Sequence, residues 1–257
     1  MPDITNETTD MTNLQTASRY GFSAVGLDSL GASEYTLATV VVDVSGSVSG
    51  WVKQLEDCLK AILKSCQSSP RADNLLLRLV SFGDNVNEVH GFRLLGDIDP
   101  NEYDNCLTIK GCTALFDATH TSVEATADYG KLLIDQGDMT ANAVIYVLTD
   151  GGDNASKNTA STIKKLLQKV RSDEKLESIA VILIGVGYDE DHLKIYLDKF
   201  KNTAELDQFV DLTELFNNSS PDKALAKLAG YVSKSISSTS QALASGSSAV
   251  SSSLLTF

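Results

Sequence analysis

Three short stretches of the chain gather oxygen-bearing side chains beside glycines. Asp43-Val44-Ser45-Gly46-Ser47 offers a carboxylate and two hydroxyls at alternate positions; Gly111-Cys112-Thr113 adds a hydroxyl; Thr149-Asp150-Gly151-Gly152-Asp153 adds carboxylates. No histidine stands among them. Small oxygen ligands with at most two carboxylates near the ion suit a hard divalent cation such as Mg²⁺ or Mn²⁺, which keeps several waters and leaves room for a ligand from elsewhere. The glycines let the loops approach closely. Each residue also has a plainer use: Ser45 in a turn, Ser47 or Thr113 as a helix cap, Asp150 as a turn former before Gly-Gly. Their joint occurrence after three separate elements favours metal ligation by Asp43, Ser45, Ser47, Thr113 and Asp150.

The elements that would position these residues follow a βα rhythm from residue 36. Thr36 to Val44, Leu75 to Phe82, Ala143 to Thr149 and Ile179 to Gly187 are aliphatic runs, as strands covered on both faces should be. Val86 to Leu95, broken by His90 and Gly91, reads as a more exposed strand at an edge, and Leu206 to Leu212 as the last strand. Between them, Ser47 to Cys66 carries Val48, Trp51, Leu55, Leu59, Ile62 and Cys66 on one helical stripe. Further helices are expected over Ala114 to Ile134, Lys157 to Arg171 and Asp189 to Phe200, with a final one from Asp222. Strands alternating with helices specify a doubly wound, mostly parallel, Rossmann-like α/β sheet with helices on both faces. In such sheets ligands bind beyond the carboxyl ends of the strands, where the three oxygen-rich stretches fall. The expected organisation is an N-terminal arm with a short hairpin over 1–35, the α/β domain over 36–232, and a tail over 233–257 in which eleven residues are serine.

On these residues the chain resembles a von Willebrand factor type A (vWA) domain. The metal-ion-dependent adhesion site (MIDAS) of that family combines a DxSxS motif, here Asp43, Ser45 and Ser47, with a later Thr, here Thr113 in GCTALFDA, and a later Asp, here Asp150 in VLTDGGDN. The resemblance implies that Ser45, Ser47 and, in one conformation, Thr113 bind the ion directly, and that Asp43 and Asp150 act mainly through water. It further implies that the open coordination position takes an Asp or Glu of a protein partner. The ending YVSKSISSTSQAL resembles TerY-like proteins of tellurite-resistance and stress-response clusters. Cys112 departs from the family, where a glycine is common.

Composition narrows the partners. The 257 residues carry 21 Lys+Arg against 34 Asp+Glu, a net charge of −13. That sign argues against nucleic acid or an anionic membrane surface as the main partner. The start of the chain lacks the basic and apolar regions of a secretory signal, and the run Ile179 to Val186 is too short to cross a membrane, so a cytoplasmic protein is expected. Cys58, Cys66, Cys106 and Cys112 lack CxxC spacing, which disfavours a zinc site or a disulfide framework. His90, His120 and His192 are scattered, no base sits beside a nucleophile, and no phosphate-cradling glycine loop follows a strand. A non-enzymatic, metal-dependent protein-binding module therefore leads. The alternatives are a scaffold subunit of a larger particle, and a phosphotransfer enzyme with Asp43 as nucleophile. The second lacks the further Asp that such a site wants where Ser45 stands. Asp117 reads equally as a buttress of the site loops or an exposed acid, Asp153 and Asn154 as rim, and Trp51 as core.

Overall fold

The computed structural model describes residues 10–173, 176–187 and 191–245. In chain order its elements are β1 (Met11–Gln15), β2 (Gly21–Val25), β3 (Glu34–Asp43), α1 (Val52–Gln67), β4 (Leu75–Phe82), β5 (Val86–Leu94), α2 (Leu115–Gly137), β6 (Thr140–Thr149), α3 (Ala160–Ser172), β7 (Ser178–Gly185), α4 (Asp191–Ala204), β8 (Gln208–Asp211), α5 (Thr213–Asn218) and α6 (Pro221–Ala244). The strands form one sheet in the order β1-β2-β5-β4-β3-β6-β7-β8. From β4 through β3, β6 and β7 to β8 every pairing is parallel; β5 runs antiparallel to β4, and β1 antiparallel to β2.

The aliphatic runs are central because each strand feeds two cores. On β3, Leu37 and Val41 pack toward α2, α3 and α4, while Ala38, Val40 and Val42 pack toward α1 and α6. The helices answer with single apolar stripes: Leu55, Cys58, Leu59, Ile62 and Cys66 on α1, and Leu225, Leu228, Val232 and Ile236 on α6. Cys58 and Cys66 are buried, as their place on the stripe predicts, and the described cysteines are all free. Trp51 is only half-buried, and its ring meets Phe216 edge-on at 5.5 Å. No described helix is long and apolar enough to cross a membrane.

Three expectations change. β5 is not an edge, because β2 pairs along its far side in parallel, Ala24 opposite Phe92. Gly91, which looked like an interruption, permits that approach: a Cβ there would lie 1.9 Å from the Ser23 carbonyl oxygen. Within the expected arm and hairpin, the polar stretch Met11–Gln15 is itself a strand, β1, ordered by its antiparallel ladder with β2; residues 1–9 lie outside the described residues. The helix expected to decay into serine-rich tail continues through 233 to Ala244. It is held by Arg71, which donates to the Ser240 hydroxyl at 2.8 Å, and by Asn142, which donates to the Thr239 carbonyl at 2.9 Å. Residues 246–257 of that tail, and the expected helix start at Asp189, lie outside the described residues.

Candidate metal centre

Parallel strands send their loops to the same pole, and register decides which loops meet. Val42 lies opposite Leu148 in the β3–β6 ladder, so Asp43 and Thr149 leave the sheet side by side. The winding reverses at this point, with β4 on one side of β3 and β6 on the other, which is where open α/β sheets bind ligands.

Four of the five predicted ligands meet there in one hydrogen-bonded cluster. Asp43 Oδ1 accepts from the Ser45 N–H at 2.8 Å, and Oδ2 accepts from the Thr149 hydroxyl at 2.6 Å. The Ser47 hydroxyl donates to Asp150 Oδ1 at 2.8 Å. Its single proton being committed, the 3.1 Å contact between Ser45 and Ser47 runs from the Ser45 hydroxyl to Ser47 Oγ. Thr113 is on the loop alongside: the Lys110 N–H donates to the Val44 carbonyl at 2.7 Å and the Ala114 N–H to the Gly83 carbonyl at 2.8 Å. Thr113 itself is tied by its backbone to Asn154 rather than by its hydroxyl to the other four. None of these hydroxyls caps a helix. A short 3-10 turn, Gly46–Gly50, precedes α1, and the residues ahead of α1 and α2 are Trp51 and Ala114.

The electrostatics suit a cation. Asp43, Ser45, Thr113 and Asp150 are 2, 3, 5 and 7 % exposed, while Ser47 and Gly46 open to solvent. Burial raises the Asp43 carboxyl above its ordinary range against the hydrogen bonds from Thr149 and Ser45. Burial pushes Asp150 up to about 6, the Ser47 hydrogen bond opposing it and the Asp43 charge adding to it. Among the described residues no Lys or Arg forms a salt bridge with either acid. Buried carboxylates without a base are costly, and a bound dication relieves that cost. Among the described residues no three His, Cys, Asp or Glu side chains gather as a ligand group; here hydroxyls outnumber carboxylates, so the donor set is hard and low in charge. These donors fit a hard divalent ion.

Thr149 and Asp84 escape the sequence reading, whereas Asp117 and Asp153 are singled out by it. Thr149 anchors Asp43, and its only sequence signal was a hydroxyl ending an aliphatic strand. Asp117 is a buttress: it accepts from the backbone N–H of Lys157 at 3.0 Å and from both nitrogens of Asn158 at 2.8 Å. Asp153 accepts from the Phe116 N–H at 3.2 Å, and Asp84 from the Cys112 N–H at 2.7 Å. Cys112 is exposed on the loop, as its position predicts.

No protein-family model and no curated protein matches the sequence. Solved structures do match. The PilB minor pilin of Streptococcus sanguinis aligns with 84 % of this chain and 64 % of its own at 14 % identity and a TM-score of 0.53. The pilus adhesin SpaC of Lactobacillus rhamnosus GG aligns with 80 % of this chain and 30 % of its own at 12 % identity and a TM-score of 0.52. Proximal thread matrix protein 1 from the mussel byssus aligns with 79 % of this chain and 46 % of its own at 21 % identity and a TM-score of 0.50. This chain thus spans less than two thirds of the length of each. At such identities the likeness speaks for architecture, and the architecture of this chain is a vWA-like fold.

Proposed function

We propose that the chain is a non-enzymatic, divalent-cation-dependent protein-binding module that captures an acidic side chain of a partner. One observation carries this reading: Asp43, Ser45, Ser47 and Asp150 form a continuous cluster of oxygens at the switch point, two of them buried acids with which no Lys or Arg among the described residues forms a salt bridge. In this reading Mg²⁺ or Mn²⁺ is held by Ser45, Ser47 and Thr113, with Asp43 and Asp150 in support. The ion supplies a Lewis-acidic, positively charged position that attracts a partner's Asp or Glu. The ligands that touch it being mostly neutral, its charge stays available to the incoming carboxylate. The exposed Ser47 and Gly46 give the route of approach.

Phosphotransfer by Asp43 is disfavoured by its surroundings. Both carboxylate oxygens are engaged, by Ser45 and Thr149, and the residue is almost wholly buried, so no oxygen is presented for attack. The vWA-like fold of pilus and byssus proteins supports an interaction role at a coarse level. A tellurite-resistance or stress-response setting rests on the resemblance of the ending YVSKSISSTSQAL alone.

Titration calorimetry with MgCl₂ and MnCl₂ on chelator-stripped protein tests the reading. The parent should bind, and Asp43→Ala and Ser45→Ala should fold yet give no heat. A parent that binds neither ion, or variants that bind like the parent, would overturn it.

A further inference from the structure

Thr113 is the one predicted ligand whose hydroxyl makes no hydrogen bond to the rest of the cluster, so something else must place it. Its backbone is held at both polar atoms by one residue. The Thr113 N–H donates to Asn154 Oδ1 at 2.8 Å, and the Thr113 carbonyl accepts from the Asn154 N–H at 3.0 Å and from the Ala155 N–H at 3.3 Å. Asn154 belongs to the β6–α3 loop, which also carries Asp150. The pairing continues along the start of α2: Asp153 accepts from the Phe116 N–H at 3.2 Å, the Ser156 hydroxyl accepts from the Asp117 N–H at 2.9 Å, and the Asp117 carboxylate holds the backbone of residues 157 and 158. Residues 153–158 are thereby zipped to residues 113–117.

We propose that Asn154 is a positioning residue for the cation site, fixing Thr113 relative to Asp150 so that the two ligand loops form one unit. The inference rests on the metal-binding reading above and deepens it. Geometry supports the choice of Asn. Its short amide reaches back from its own backbone to accept from Thr113, while its N–H meets the Thr113 carbonyl, so one residue closes a two-bond ring that fixes the Thr113 peptide planes. Asn154 is itself exposed. Removing its side chain leaves the core intact and withdraws only the acceptor facing Thr113. Residues that orient metal ligands contribute about 10- to 100-fold to metal affinity when removed.

The test compares Asn154→Ala, Asn154→Asp and Thr113→Ala, alone and in the Asn154→Ala/Thr113→Ala pair, using the full chain. Mg²⁺ affinity by calorimetry should weaken about tenfold in Asn154→Ala and recover in Asn154→Asp, which keeps the accepting oxygen. With Thr113→Ala present, adding Asn154→Ala should change affinity little, because the two act through one ligand. In chelator, hydrogen exchange of the Thr113 amide should quicken in Asn154→Ala and stay slow in Asn154→Asp. Parent-like Mg²⁺ affinity in Asn154→Ala, or fully additive losses in the pair, overturns the assignment. A parent that binds no Mg²⁺ overturns the underlying reading instead, and the exchange measurement still decides whether Asn154 holds Thr113.

Discussion

Replacing Asp150 by Asn should strengthen the fold without metal and abolish its response to Mg²⁺. Asp150 is 7 % exposed, and burial above all, with the Asp43 charge adding, pushes its carboxyl from 3.8 up to about 6. At 1.36 kcal/mol per pH unit, that rise corresponds to ~3 kcal/mol by which the ionised group opposes folding. The folded state holds this proton more tightly than the unfolded state, so the penalty is small near pH 4, grows as pH rises, and is complete above about pH 6. Asn retains an oxygen to accept from Ser47 and carries no charge. Urea unfolding in chelator should therefore show Asp150→Asn gaining up to ~3 kcal/mol over the parent at pH 7.5 and under ~1 kcal/mol at pH 4. With Mg²⁺ at about 1,000 times its Kd the order should reverse, since such a ligand stabilises the parent by ~4.1 kcal/mol, more than the variant gained in chelator. An Asn variant less stable than the parent in chelator at pH 7.5, or one still stabilised by Mg²⁺, would refute the electrostatic account.

Two further expectations concern the fold that carries the site. His90 donates through Nδ1 to the Gly91 carbonyl, leaving Nε2 to accept from the Tyr103 hydroxyl at 2.8 Å, and burial lowers its pKa to about 4. The unfolded chain then binds the extra proton first, so this contribution is full above about pH 6.5 and falls by up to ~2 kcal/mol between pH 7 and pH 5; His90→Gln should flatten that slope, and parallel pH curves would count against it. Gly91→Ala should cost about 1–3 kcal/mol, because the new methyl would strike the Ser23 backbone, and proteolysis should then open the turn between β1 and β2 first. Unchanged stability in that variant would mean that β2 does not lie where the β5 ladder places it.

The sequence spoke most clearly where one residue type serves a whole element. Aliphatic runs marked β3, β4, β6 and β7 because two-sided burial demands them, and helical stripes marked α1 and α6 because one-sided burial does. β1 carried no such mark. Met11, Thr12, Asn13, Leu14 and Gln15 form a strand through backbone pairing with β2 across a short turn, a gain that leaves little trace in side-chain type. The edge assigned to β5 failed for a related reason: Gly91 weakens a strand by propensity, yet it is what admits a neighbour. At the candidate site, Asp43, Ser45, Ser47 and Asp150 could be singled out because the role proposed for them rests on their own side-chain oxygens, and the fold brings these four together. Thr149 and Asn154 act on a neighbouring carboxylate and a backbone group, and a residue whose task is to hold a peptide N–H looks like any polar loop residue until the loops are brought together; Asp117, readable in sequence as either buttress or exposed acid, is the buttress.

The two poles of the sheet differ in how their charge is compensated. At the amino ends of the central strands the polar groups close on themselves. Thr36 donates to Asn142 at 2.7 Å, Asn142 donates to the Thr239 carbonyl, and Glu34 is matched by Arg71 at 2.5 Å. Every acid in that network has its base, and the result clamps α6 to the sheet. At the carboxyl ends the same kinds of residue are arranged without closure. Asp43 and Asp150 are buried as deeply as core residues, hydroxyls donate into them, and no positive group forms a salt bridge with either among the described residues. A fold that needed only stability at that pole would gain by replacing Asp150 with Asn, by the magnitude worked above. The placement of negative charge without a salt-bridge partner among the described residues at the switch point, beside neutral oxygens, is what the proposed binding of a divalent cation calls for and what packing alone disfavours.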